Sequence, residues 1–305
     1  MMSKIASIQF LEDLYTKQKE ATLFGKWIHY KHIAPLISGI STYFDVQLLG
    51  NSELETPIHS IRLGNGPKKI LIWSQMHGNE STGTKAVFDV LNCFKTNKDN
   101  AFTTILKECT LLFIPMLNPD GALNYTRVNS NGIDLNRDAV ALKAVESKLL
   151  RKVLDTFNPQ FCFNLHDQRT IFGVEGTENP ATISFLAPSE EINRAITPGR
   201  IATMNVIIAM NSLLQQVIPN CIGRYTDEFY PTATGDVFQK LGYNTILIEA
   251  GHYPNDYHRE TVRKYNFMAL VTGLHHIAIT DDYSAYKTYF DIPNNQKNFV
   301  DIIEE

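Results

Sequence analysis

His77 and Glu80 stand three residues apart in Met76-His77-Gly78-Asn79-Glu80, directly after the apolar run Ile70-Leu71-Ile72-Trp73. An imidazole and a carboxylate at that spacing, at the end of a buried strand, can turn toward one cation. Zinc takes imidazole nitrogen and carboxylate oxygen at about 2.0–2.2 Å, and a catalytic zinc keeps one position open for water. Two ligands leave such a site short of a third, neutral donor. His166 is the best candidate, because it ends another apolar run, 161–165, with Asp167 beside it. Glu249 follows a third run, 245–248. A carboxylate in that setting is costly unless it is paired, hydrated or used. It reads either as the partner of a nearby arginine or as a general base that takes a proton from a metal-activated water and passes it to a leaving amine. Arg127 is of the type that stabilises an oxyanion, and Asn136-Arg137 form a planar donor set suited to a carboxylate. Either arginine alone reads more plainly as part of a solvated loop. Asp134, between them, reads as a turn residue or as support for a ligand. His252, shortly past Glu249, is a further residue that could line the same site.

These residues share a place in the pattern of the chain. Strands are expected over 58–63, 69–73, 110–117, 161–165 and 245–248. Helices are expected from about residue 80 and over 142–157, 199–217 and 259–277. His77, Asn118, His166 and Glu249 each fall at or just past the C-terminal end of an expected strand. Strands alternating with helices predict a sheet covered on both faces. Such sheets collect their sites at the carboxyl ends of the strands. Residues 1–54 read as an N-terminal helical segment packed on a catalytic domain of 55–305, a single globular unit with no linker between them.

The chain has 305 residues, 44% hydrophobic and 20% charged, with a net charge of -4. There is no broad basic field to attract nucleic acid or an anionic membrane. No run approaches the roughly 18 apolar residues of a membrane span. The first residues lack the apolar core of an export signal. Cys93, Cys109, Cys162 and Cys221 follow no C-x-x-C spacing and read as reduced thiols. The expectation is a cytoplasmic protein.

His77-Gly78-Asn79-Glu80, Asn118-Pro119-Asp120-Gly121, Arg127, the stretch from Asn131 to Asn136-Arg137, His166 and Glu249 together resemble the zinc carboxypeptidase family (peptidase M14, the group with the carboxypeptidase A fold) over roughly residues 55–280. The resemblance implies an α/β fold with a mixed, mostly eight-stranded twisted sheet sandwiched between helices. It implies one zinc ion per chain on His77, Glu80 and His166, with Glu249 as general base and Arg127 as oxyanion stabiliser. Asn136 and Arg137 would bind the terminal carboxylate, and the activity would be hydrolysis of a C-terminal peptide bond. The family also carries a tyrosine on a loop upstream of the glutamate, and Tyr225 and Tyr230 are both candidates here. Side-chain preference is expected from 230–238. There Asp236, or Asp227 just upstream, would select a basic or amine-bearing side chain; capping a helix is the competing role for Asp236. The short step from His77 to His166 is also similar to compact relatives, the cell-wall-peptide amidases and the succinylglutamate desuccinylase and aspartoacylase type of deacylase. A zinc deacylase or amidase of small N-acyl amino acids or cell-wall peptides is therefore the alternative.

Overall fold

The computed structural model describes residues 7–96 and 99–299. Helices α1 (Ile8–Gln18) and α2 (Tyr30–Ile40) lead into strands β1 (Asp45–Asn51), β2 (Pro57–Leu63) and β3 (Lys68–Ser74). Next come α3 (Thr82–Thr96), α4 (Asn100–Glu108), β4 (Cys109–Ile114), the short α5 (Pro119–Asn124) and α6 (Val145–Phe157). They are followed by β5 (Phe161–Asp167), β6 (Phe172–Val174), β7 (Ile183–Leu186), α7 (Pro198–Leu214) and β8 (Ile222–Arg224). The last elements are α8 (Thr234–Lys240), β9 (Asn244–Ala250), α9 (Glu260–Ile279) and β10 (Asn295–Lys297).

Eight strands form one sheet in the order β1-β2-β4-β3-β5-β9-β7-β8. The central β4, β3, β5 and β9 are mutually parallel. β2 runs antiparallel to β4 at one side, and β7 antiparallel to β9 at the other. The central strands are apolar on both faces, as expected of a sheet covered on both sides. Ile70, Ile72, Phe161, Phe163, Ile246 and Ile248 meet α3, α7 and α9 through Val87, Met204 and Phe267. Leu71, Trp73, Leu112 and Cys162 meet α6 and α8 through Leu150, Leu154 and Phe238. β4 stops at Ile114, short of the expected 117, because Pro115 has no N–H for the ladder.

Residues 45–51 differ from the helical expectation. They form β1, which pairs antiparallel with β2 and joins the same sheet as the centre. As an edge strand it buries almost nothing, so it carries no alternating pattern to be read. The stretch between α1 and α2 is held by buried charge. Arg263 and Asp89 are both fully buried and joined at 2.7 and 2.8 Å. Arg263 also donates to the carbonyls of Leu23 (2.6 Å) and Glu20 (2.9 Å). Lys85, likewise buried, meets Glu260 at 2.6 Å. The four cysteines are free. No helix among the described residues is long and apolar enough to cross a membrane.

Candidate metal centre

The loop after β3 is bracketed from three sides. Gln75 takes the left-handed backbone conformation (φ 51). Its amide donates to the carbonyls of Gly78 (2.7 Å) and Ile28 (2.6 Å) and accepts from Thr84 Oγ1. Asn118 caps α5 through the Gly121 N–H and donates to the Met76 carbonyl at 3.1 Å. At Gly78 a Cβ would lie 2.0 Å from the Gly121 backbone, so only glycine lets the two segments touch. The Asn118-Pro119-Asp120-Gly121 turn is thus the back plate of the loop that presents His77 and Glu80.

Held this way, three side chains meet the end of β5. His77 Nδ1 lies 2.9 Å from Glu80 Oε1, His166 Nδ1 lies 2.9 Å from Glu80 Oε2, and the two Nδ1 atoms are 3.1 Å apart. Ligands around a tetrahedral zinc with bonds near 2.0–2.1 Å sit about 3.3 Å from one another. The donor set fits such an ion: two imidazole nitrogens and a carboxylate aimed at one point set lone pair against lone pair unless a cation or shared protons lie between them. The opposite nitrogen of His77, Nε2, is 3.0 Å from Asp134 Oδ1. That contact fixes the tautomer and leaves Nδ1 bare for a metal. The Nε2 of His166 is buried with no hydrogen-bond partner among the described residues.

Asp134 is a hub as well as a turn residue. It caps the short 3-10 turn Leu135–Arg137 by accepting the Asn136 N–H at 2.9 Å, and it accepts from Arg127 Nε at 3.0 Å. Arg127 Nη1 reaches Glu80 Oε1 at 3.1 Å. Burial alone would raise the Glu80 carboxyl, but the charge of His77 and the hydrogen bond of His166 outweigh it and hold it far below the usual range. Burial pulls the His77 imidazole down, and Glu80 and Asp134 more than offset this, leaving it raised. Glu249 pairs in register with His166 across β5 and β9. Burial first, then the charges of Glu80 and Asp167, push its carboxyl well above the ordinary value.

A cleft of about 510 Å³ opens here, and ten of the residues singled out from sequence line it: His77, Glu80, His166, Glu249, Arg127, Asn136, Arg137, Tyr225, Tyr230 and Asp236. Asn136 Oδ1 accepts the Thr234 N–H at 3.2 Å. The Arg137 guanidinium lies 5.5 Å from the Tyr230 ring centre, and the Tyr225 ring packs 5.3 Å from that of Phe172. Asp236 is not a cap. α8 begins at Thr234 with Ala233 as its cap, so Asp236 falls inside the first turn and accepts the Tyr230 N–H at 3.2 Å. Burial pushes its carboxyl up to about 6. Asp227 is bound to Arg200 (2.7 Å) and Arg194 (3.3 Å) and does not line this cleft. His252 lines a neighbouring cavity instead.

Two contributors had little sequence signal. Arg259 donates to the carbonyls of Ala250 (2.6 Å) and Gln168 (2.7 Å), tying the ends of β9 and β5 together. It also lies 3.5 Å from Asp167, whose carboxylate accepts from Thr82 Oγ1 at 2.8 Å. Arg169 adds an exposed cation to the lining.

The sequence profile of the zinc carboxypeptidases, peptidase M14, matches residues 30–167. The chain is 26% identical over 147 residues to a protein named probable carboxypeptidase 2 of Trichophyton verrucosum, covering 47% of this chain and 26% of that one. It is 35% identical over 80 residues to gamma-D-glutamyl-L-diamino acid endopeptidase 1 of Lysinibacillus sphaericus, covering 24% of this chain and 20% of that one. The chain thus spans about a quarter of the length of the curated relatives it matches. Among solved structures, a metallo-carboxypeptidase from Burkholderia cenocepacia superposes with a TM-score of 0.66 at 17% identity, over 82% of this chain and 69% of the other. Thrombin activatable fibrinolysis inhibitor superposes with a TM-score of 0.65 at 13% identity, over 88% and 80%. At these identities the superpositions establish the fold.

Proposed function

We propose that the chain is a member of the zinc carboxypeptidase family, whose profile matches residues 30–167, and that it hydrolyses the C-terminal peptide bond of a peptide. One observation carries this reading: three converging ligand atoms, a buried glutamate and a carboxylate-binding pair share a single cleft. A zinc ion would be held by His77, Glu80 and His166 and would supply a Lewis acid that acidifies water and polarises a carbonyl. Glu249 takes the proton of the attacking water and delivers it to the departing amine. Arg127, oriented by Asp134 and Glu80, donates to the carbonyl oxygen as negative charge develops there. Asn136 and Arg137 hold the free carboxylate, which restricts cleavage to a chain end. The four free thiols suit a reducing compartment and support a cytoplasmic location.

A second reading is an amidase acting on cell-wall peptides or small N-acyl amino acids. It is favoured by the relative named for a diamino acid substrate and by Asp236, whose carboxylate suits a side-chain amine. A panel of blocked dipeptides, longer peptides and N-acyl amino acids, run beside zinc analysis, separates the two. Wild type is expected to bind one zinc per chain and to cleave the peptides whatever their length. Glu249→Gln should keep its zinc and lose about 10²- to 10⁴-fold in kcat. Cleavage of N-acyl amino acids alone moves the assignment to the second reading, and failure to retain zinc after supplementation overturns both.

A further inference from the structure

We propose that a second cavity, beside the cleft, is a subsite that binds a carboxylate on the acyl side of the scissile bond. This rests on the peptidase reading above. The cavity measures about 440 Å³ and is lined by Lys26, Thr170, Gly251, His252, Asp256 and Arg259 among others. The ends of β5 and β9 are the wall between the two spaces. Arg169 lines the cleft and Thr170 the cavity; Glu249 lines the cleft and Gly251 the cavity. Arg259 of the cavity lies 3.5 Å from Asp167 of the cleft.

The two spaces adjoin at the carboxyl ends of these strands. Asn136 and Arg137 stand beside the core layer of Leu135, Val237 and Phe238. Lys26 and Arg259 stand over the layer that holds α1, α3 and α9. A peptide with its terminal carboxylate on Arg137 and its scissile bond at Glu249 that continues past Arg169 and the strand ends would meet the cavity that Lys26 lines.

The charges there are arranged for an anion. The Lys26 side chain is exposed and has no carboxylate partner among the described residues. Asp256, the carboxylate of the cavity, is taken up by the N–H groups of Glu260 (2.8 Å) and Val262 (2.9 Å) at the start of α9. Arg259 is occupied by two backbone carbonyls. What remains is one ammonium beside the imidazole of His252, whose pKa is lowered by burial and then by Arg259. One free cation and a neutral donor match a singly charged carboxylate. The backbone that carries Lys26 is fixed in place: its carbonyl accepts from Ser81 Oγ at 2.5 Å, next to Glu80, and the neighbouring Trp27 Nε1 donates to the Ala122 carbonyl at 3.0 Å. A preorganised site loses less entropy on binding.

The test uses matched blocked peptides with Glu or Gln at each acyl-side position, cleaved by wild type, Lys26→Gln and Lys26→Glu. Wild type should favour Glu about 5- to 10-fold in kcat/KM, chiefly through KM. Lys26→Gln should erase the preference and Lys26→Glu reverse it, with the Gln peptides cleaved at unchanged rates. Equal rates for Glu and Gln at every position in wild type overturn the subsite while leaving the peptidase. If no peptide is cleaved at all, the peptidase reading has failed, and glutarate binding decides the subsite. The imidazole resonances of His252 should shift with glutarate in wild type and stay still in Lys26→Glu, and identical responses overturn it.

Discussion

Glu249 and Asp236 are both carboxyls lifted by burial, yet they face different demands. Glu249 stands across from His166, where under the proposed mechanism a proton would be taken up and handed on. Asp236 stands where a side chain would be chosen, and its carboxyl titrates near 6. As pH rises through that value Asp236 gains charge, so attraction for an amine grows. The kcat/KM ratio for lysine- over norleucine-ended dipeptides should therefore climb roughly tenfold between about pH 5 and 7. It should stay flat in Asp236→Asn, and a flat ratio in wild type removes Asp236 from substrate selection. At this scale the sequence was most legible where chemistry is narrow. Few residue types bind zinc, and His77, His166 and Glu249 each ended an apolar run. Arg259 was illegible because its partners are backbone carbonyls, which have no signature in the residue string. The capping role considered for Asp236 failed because α8 starts three residues earlier than the local pattern suggests.

The metal loop depends on its contact with α5. Gly78→Ala would place a methyl 2.0 Å from the backbone of Gly121, and neither segment has slack, given the hydrogen bonds of Gln75 and Asn118. The variant should lose about 1–3 kcal/mol of stability from overpacking and bind zinc roughly 10- to 100-fold more weakly as the ligands shift. Chelator competition measures the second effect, and unchanged zinc affinity would show that the loop tolerates the displacement. The central strands were readable because burial on both faces leaves continuous apolar runs. β1 buries too little to leave a pattern, and β7 and β8, at four and three residues, are shorter than any reliable period. The helical expectation for the first fifty residues therefore missed a strand. The mixed character of the sheet came from resemblance rather than from periodicity.

On the scale of the molecule, the Arg263–Asp89 pair joins α9 to α3 and, through two carbonyls, to the chain on its way to Lys26. Asp89→Asn removes the fully buried counterion of Arg263 and leaves it only Glu260, at 3.1 Å, at a cost approaching about 3–5 kcal/mol. Urea unfolding should show that loss, and limited proteolysis should open first between 19 and 28. A loss below about 1 kcal/mol would mean that water reaches the guanidinium and the pair is not the clamp. The strand order bears on a different matter, the making of the chain. β9 fills the place between β5 and β7 although it leaves the ribosome after both, and after β8. The three candidate metal donors are complete once residue 166 has been added, but Glu249, the proposed base, is carried on β9. An unfinished copy can therefore gather its ligands while still lacking a base. Until residue 249 has been added, the growing chain has no such base with which to cut the peptides around it.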